Sequence, residues 1–314
     1  MRREDDAAVR NPRLEAAERI GGARDVRVLE PSPPGVDEPP FFADDPVAGG
    51  EVAPVARAGA RTWADVCDES GDPGLRAWCE ERWLVRGPLG PLPPDFAVTR
   101  VSLHALAERI VAPARHAANG KIGLRYTYRG FGTPFFGDRQ VRVEDGDLIA
   151  TDTMLGDRRL RPATLRQAAD LVGVPVGAET GVYTPTTPDD PDAPLTIDAV
   201  AARAVGDWFG FCASLLEQLR TEAEPDADKP ARVQLWPEHF DLAVDLGPDG
   251  ARANFGGSPG DDAHPEPYLY IGPWEPREGA FWNESFGASL PYSAILGGAD
   301  AMEFLRHGKE LLGR

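Results

Sequence analysis

Around residue 240 the chain alternates, and that alternation limits what it can build. Phe240, Leu242, Val244 and Leu246 are apolar, with His239, Asp241, Ala243 and Asp245 between them. Period two marks a strand with one face in a core. Gly247-Pro248-Asp249-Gly250 then turns the chain too tightly for a crossover helix, so residues 251–256 must return antiparallel. The same logic applies earlier. Ile122, Leu124, Tyr126 and Tyr128 alternate with Lys121, Gly123, Arg125 and Thr127. Val141 and Val143 lead through Glu144-Asp145-Gly146-Asp147 to Leu148 and Ala150, and Asp-Gly suits a hairpin turn. Tyr268 to Gly272 reads as one more strand.

Helical spacing fills the gaps. Ser102 is placed to cap a helix through Leu103, Leu106, Ile110 and Ala114, closed by Asn119-Gly120. Residues 162–172 read as a helix. Thr196 precedes Ala201, Ala204, Val205, Trp208, Cys212, Leu215 and Leu219, the clearest amphipathic run in the chain. Residues 222–231 read as a linker, and a last helix covers 299–312. Helix, strands, helix, helix, strands, helix predicts an α+β fold, with mostly antiparallel sheets packed against helices. Phe131-Gly132-Thr133-Pro134 and Phe255-Gly256-Gly257-Ser258-Pro259 echo each other, so the body, residues 96–314, is open to reading as two similar halves, 96–175 and 196–314. Residues 1–60 are rich in proline and acids and predict an extended, partly disordered arm. Residues 61–95, with Trp63, Trp78 and Trp83, read as short helices and a linker.

Charge excludes several classes of function. Lys plus Arg is 33 and Asp plus Glu is 51, a net −18. So acidic a chain is ill suited to nucleic acid or to anionic membranes. No apolar run reads as long enough to span a bilayer, and no signal-peptide core follows Met1, which points to the cytoplasm. Three cysteines do not make a disulfide framework. Oligomeric state is not legible.

Polar residues concentrate in 236–266. If His239 and Asp241 lie two apart on one strand, they share a face roughly 7 Å apart. Centring the turn on 248–249 sets 241 opposite 256, so the loop 257–266 emerges at the His239 end. It carries Asp261, Asp262, His264 and Glu266. His239 and Asp241 are thus candidate acid–base residues. His239, Asp241, Asp261, His264 and Glu266 are candidate ligands for a divalent transition metal. Solvated loop charges and cross-sheet hydrogen bonds are the plainer account, because HExxH, CxxC pairs and calcium loops are all missing from the sequence. A second cluster, Lys121 and Arg125 with Tyr268, Tyr270 and Trp274, could hold an anionic small molecule. The plainer account there is pairing with the chain's many acids and ordinary core packing.

The strand start Gly120 to Leu124, the helical Trp208-Phe209, the strand His239 to Val244, the segment Pro265 to Tyr270, Leu290 to Tyr292 and the helical Phe304-Leu305 occur in this order. Over about residues 100–312 the chain resembles an uncharacterised, largely actinobacterial family of unknown function. That resemblance implies a single extended body and brings no activity or catalytic residue. Three readings stand: an enzyme or metal-dependent binder, a non-catalytic binder of an anionic small molecule, and an interaction module using the acidic arm.

Overall fold

The computed structural model describes residues 89–313, apart from Tyr128, Phe135, Gly137, Asp138 and Thr153. The expected arm and nearly all of the Trp-bearing segment therefore lie outside the described residues.

Helix α1 runs as an α-helix over Phe96–Leu106, widens to a π-helical turn over Ala107–Val111 and finishes over Ala112–Asn119. Gly120, at φ 73°, closes it as the Asn-Gly pair predicts. Five strands follow: β1 (Arg125–Thr127), β2 (Gly130–Gly132), β3 (Arg139–Glu144), β4 (Asp147–Asp152) and β5 (Gly156–Leu160). After α2 (Leu165–Val172) a long connection leads to α3 (Ala199–Thr221) and the single turn α4 (Pro225–Asp228). Then come β6 (Gln234–Trp236), β7 (Asp241–Leu246), β8 (Ala253–Ser258), β9 (Tyr268–Pro273) and β10 (Ala288–Pro291). Helix α5 (Gly298–Leu312) ends the described chain.

The fold is α+β. Each group of five strands is an antiparallel sheet in which chain neighbours are sheet neighbours. Helix, meander, helix thus occurs twice. The sheets meet at one rung, where Leu124 and Leu235 exchange N–H···O bonds of 2.7 and 2.8 Å. Helix α3 packs on strands of both sheets, with Trp208, Phe209, Phe211 and Leu215 fully buried. Val141, Val143 and Leu148 join that core from the first sheet, and Leu242, Val244, Phe255, Leu269 and Ile271 from the second. Each such side chain contributes roughly 1.5–3 kcal/mol by leaving water.

Several expectations shift. Helix α1 starts at Phe96, so Ser102 lies inside it and its hydroxyl accepts from the Thr196 N–H (2.9 Å) instead of capping. Asp198, not Thr196, caps α3, accepting from the Ala201 N–H at 2.8 Å. A run of the length and apolarity to cross a bilayer does exist, Ala199–Arg220, but it is α3, and most of it is buried inside the protein. The strand expected over 232–246 is two strands with a turn between. The register also moves. Leu242 pairs with Gly257 rather than with Phe255, which sets position 241 beside Ser258 instead of Gly256.

Candidate functional site

The second sheet has two unlike faces. Leu242, Val244, Phe255, Leu269 and Ile271 face α3 and α5. Asp241, Asn254, Gly256, Ser258, Tyr268 and Tyr270 alternate onto the other side. There a cleft of about 920 Å³ opens, walled also by α1, the connection before α3, the turn 237–240 and the loop after β8.

Asp241 sits in its wall, only 6% exposed. The Tyr270 hydroxyl donates to its Oδ2, while Oδ1 has no hydrogen-bond partner among the described residues. Burial raises the Asp241 pKa to about 6, opposed by the Tyr270 hydrogen bond and the nearby His239 imidazole. Tyr270 stands opposite Gly256, and Gly256 opposite Ala243, so its ring must cross β8 to reach β7. A Cβ at position 256 would lie 2.5 Å from that ring, so glycine is what allows the contact. Burial and the Asp241 charge push the Tyr270 phenol well above its ordinary value, keeping it a donor.

The turn before Asp241 is held in an unusual shape. Phe240 has φ 53°, a left-handed conformation costly for a bulky side chain. Its ring offsets the cost by meeting Phe131 and Phe209 edge to face, each at 5.1 Å. His104 of α1 stacks on the same ring, 5.2 Å away and 6° from parallel. His104 Nε2 lies 2.8 Å from the Pro237 carbonyl, which requires the Nε2–H tautomer. Burial lowers the His104 pKa, so the ring is a neutral clamp on the turn. The turn also breaks the alternation: His239 is exposed at the rim and not on a strand beside Asp241. The expected shared strand face does not form, although both residues line the cleft.

The opposite wall hangs on the π-helical turn of α1, a local widening often found beside functional sites. Glu108, wholly buried there, accepts the N–H groups of Thr186 (3.0 Å) and Thr187 (2.8 Å) and the Thr187 hydroxyl. Arg109 Nε donates to Thr187 Oγ1 at 3.1 Å, and its Nη2 donates to the Thr187 carbonyl. These bonds fix Thr186, Thr187 and Pro188 against the cleft.

The loop after β8 is ordered by its own acids. Asp261 Oδ1 accepts the N–H groups of Ala263 (2.7 Å) and His264 (2.8 Å), and Tyr268 donates to Oδ2 at 3.2 Å. Partial burial works against the Asp261 charge, but these donors outweigh it and hold its pKa below the ordinary value. His264 turns to Glu284 (3.3 Å), and Glu266 accepts the Ser293 N–H and hydroxyl, both at 2.9 Å. Neither lines the cleft. The expected five-residue metal cluster is therefore not formed. Among the described residues, no group of three or more His, Cys, Asp or Glu is placed to hold a metal ion.

The expected anion cluster also separates. Tyr268 and Tyr270 line the cleft, but Lys121, Arg125 and Trp274 do not. Arg125 is buried on β1 of the first sheet, and exposed Trp274 lies under Arg252 at 5.5 Å. Sequence reasoning missed Arg100, His104, Glu108, Thr187, Glu238 and Phe286. Only Glu108-Arg109, a charged pair inside an otherwise apolar helical stripe, left a readable signal.

Compared with known proteins, the chain matches no family model, no curated protein and no solved structure.

Proposed function

We propose that the cleft on the outer face of the second sheet is a small-molecule site, with Asp241 as its acid–base group. One observation carries this reading. The Asp241 carboxyl is buried, oriented through Oδ2 by Tyr270, and left with Oδ1 unpartnered among the described residues beside an open cleft. With a pKa of about 6, it can take up or release a proton near neutrality. Oδ1 is the oxygen that would meet a ligand proton. His239, at the rim and close enough for its charge to act on Asp241, is the second polar group of the reading. The family resemblance adds no activity to it.

The test is a fragment screen by ligand-observed NMR on the full chain, repeated with Asp241→Asn and Tyr270→Phe. Hits should bind about tenfold more weakly to Asp241→Asn, the loss expected for one hydrogen bond to a charged group. An empty screen, or hits indifferent to both substitutions, would end the reading.

A further inference from the structure

Resting on that reading of the cleft, we propose that its ligand is a cation, a small molecule whose protonated amine or guanidine sits against Asp241 and Glu238. The lining residues carry one Lys or Arg, Arg100, against four carboxyls, Glu238, Asp241, Asp261 and Asp262. Arg100 is already answered: its Nη1 donates to the Pro265 carbonyl at 3.3 Å, and Asp261 and Asp262 act on its charge. The neutral His104 adds no positive charge to the wall. Glu238 and Asp241 remain, with only the imidazole of His239, exposed at the rim, acting on the Asp241 charge.

Each of those two has one carboxylate oxygen buried without a hydrogen-bond partner among the described residues, Glu238 Oε2 and Asp241 Oδ1. A buried acceptor without a donor is unfavourable, and two beside one cleft call for a guest rich in donors. Ammonium and guanidinium groups carry donors only. An anion would bring further acceptors to a wall that already has a surplus of them.

The apolar part of the cleft fits the same guest. Tyr268, Tyr270 and Phe286 line it, with ring centroids 6.3, 6.3 and 6.4 Å apart in pairs. Grouped rings beside carboxylates attract cations through their π faces as well as by charge. The sequence offered Tyr268 and Tyr270 as partners for an anion held by Lys121 and Arg125. With those two cations outside the cleft, the same rings serve the opposite charge.

Three probes of one shape test this: benzylamine, benzyl alcohol and benzoate, titrated against the full chain by ligand-observed NMR at pH 7.5. Benzylamine should bind at least about tenfold more tightly than either of the others. Asp241→Asn should bring it down to the level of benzyl alcohol, and Glu238→Gln should weaken it by a smaller factor. Glu238 lies on the turn, so its variant remains informative if Asp241→Asn folds poorly. The proposal is overturned if benzoate or benzyl alcohol binds as well as benzylamine, if benzylamine does not bind, or if its binding is indifferent to both substitutions. Binding of benzyl alcohol or benzoate that is lost in Tyr270→Phe would refute the charge assignment while leaving the cleft a small-molecule site. A fragment screen without hits would remove both.

Discussion

On the outer face of the first sheet lies Arg142, 1% exposed; on the outer face of the second lies Asp241, 6% exposed. Arg142 has partners on both terminal nitrogens, though its buried Nε has none among the described residues. Its Nη1 donates to Thr151 Oγ1 at 2.6 Å, its Nη2 reaches Asp157 at 3.4 Å and Glu144 at 3.8 Å, and Thr151 in turn donates to Asp157 at 2.6 Å. The network continues outward, with Arg159 and Arg161 on Asp147 at 2.8 and 2.6 Å. Asp241 has Tyr270 on Oδ2 and no partner on its buried Oδ1 among the described residues, in the wall of the cleft. The first face sets its charges against one another, whereas the second sets a buried carboxyl beside a cleft. The hairpins differ in the same sense. Arg129 (φ 58°) and Phe240 (φ 53°) each stand just before the second strand of their meander. Arg129, half-buried, reaches Asp145 (3.6 Å), whereas Phe240 is fully buried and shapes the cleft.

Substitutions can break this comparison. Arg142→Ala should destabilise most, by about 3–5 kcal/mol, because it strands the buried partners of a paired charge. Urea unfolding measures it, and a loss under about 1 kcal/mol would show that the network is not structural. Phe240→Gly should cost about 3 kcal/mol, since losing the ring outweighs relief of the backbone. Asp241→Asn should act in the opposite direction at pH 7. Above pH 6 the carboxyl is ionised in both states, and burying that charge penalises the native one. Below the ordinary value of 3.8 it is protonated in both and the penalty is gone. The variant should therefore gain up to about 3 kcal/mol at pH 7, shrinking toward zero near pH 4, as read by unfolding midpoints across that range. A destabilised variant at pH 7 would make Asp241 a structural group like Arg142. Arg129→Gly should change stability least, by under about 1 kcal/mol, despite sharing the backbone shape of Phe240.

Much of the fold was legible because periodicity and turn chemistry are local. The Asp-Gly hairpin at 145–146, the closing Gly120 and the long core helix appear where the residues place them. Strands β2, β5 and β10 were not legible: Gly130–Gly132, Gly156–Leu160 and Ala288–Pro291 are short, and none alternates cleanly. The site was legible in part. Asp241, His239, Asp261, Tyr268 and Tyr270 do share one cleft, because alternation put most of them on one sheet face. His264, Glu266, Lys121 and Arg125 went elsewhere because nearness in sequence or likeness of charge does not fix which neighbour a side chain meets. The register, and with it the neighbour of Asp241, turned on the β7–β8 connection, which centres one residue later than Gly247-Pro248-Asp249-Gly250 suggests; the left-handed Phe240 separately keeps His239 off the strand. His104 and Glu108 act across more than seventy residues of chain, through Pro237 and Thr187.

The Leu124–Leu235 rung also bears on the order of events in folding. Within each meander every strand pairs with its chain neighbour, so those contacts close short loops and form early. The rung joins residues 111 positions apart and so closes a far longer loop than any pairing within a meander. Leu235 lies two residues before Pro237, the carbonyl that His104 grips. The cleft is thus a late product of the folding chain. Until the two sheets lock, each meander can be complete while Asp241 still faces bulk water.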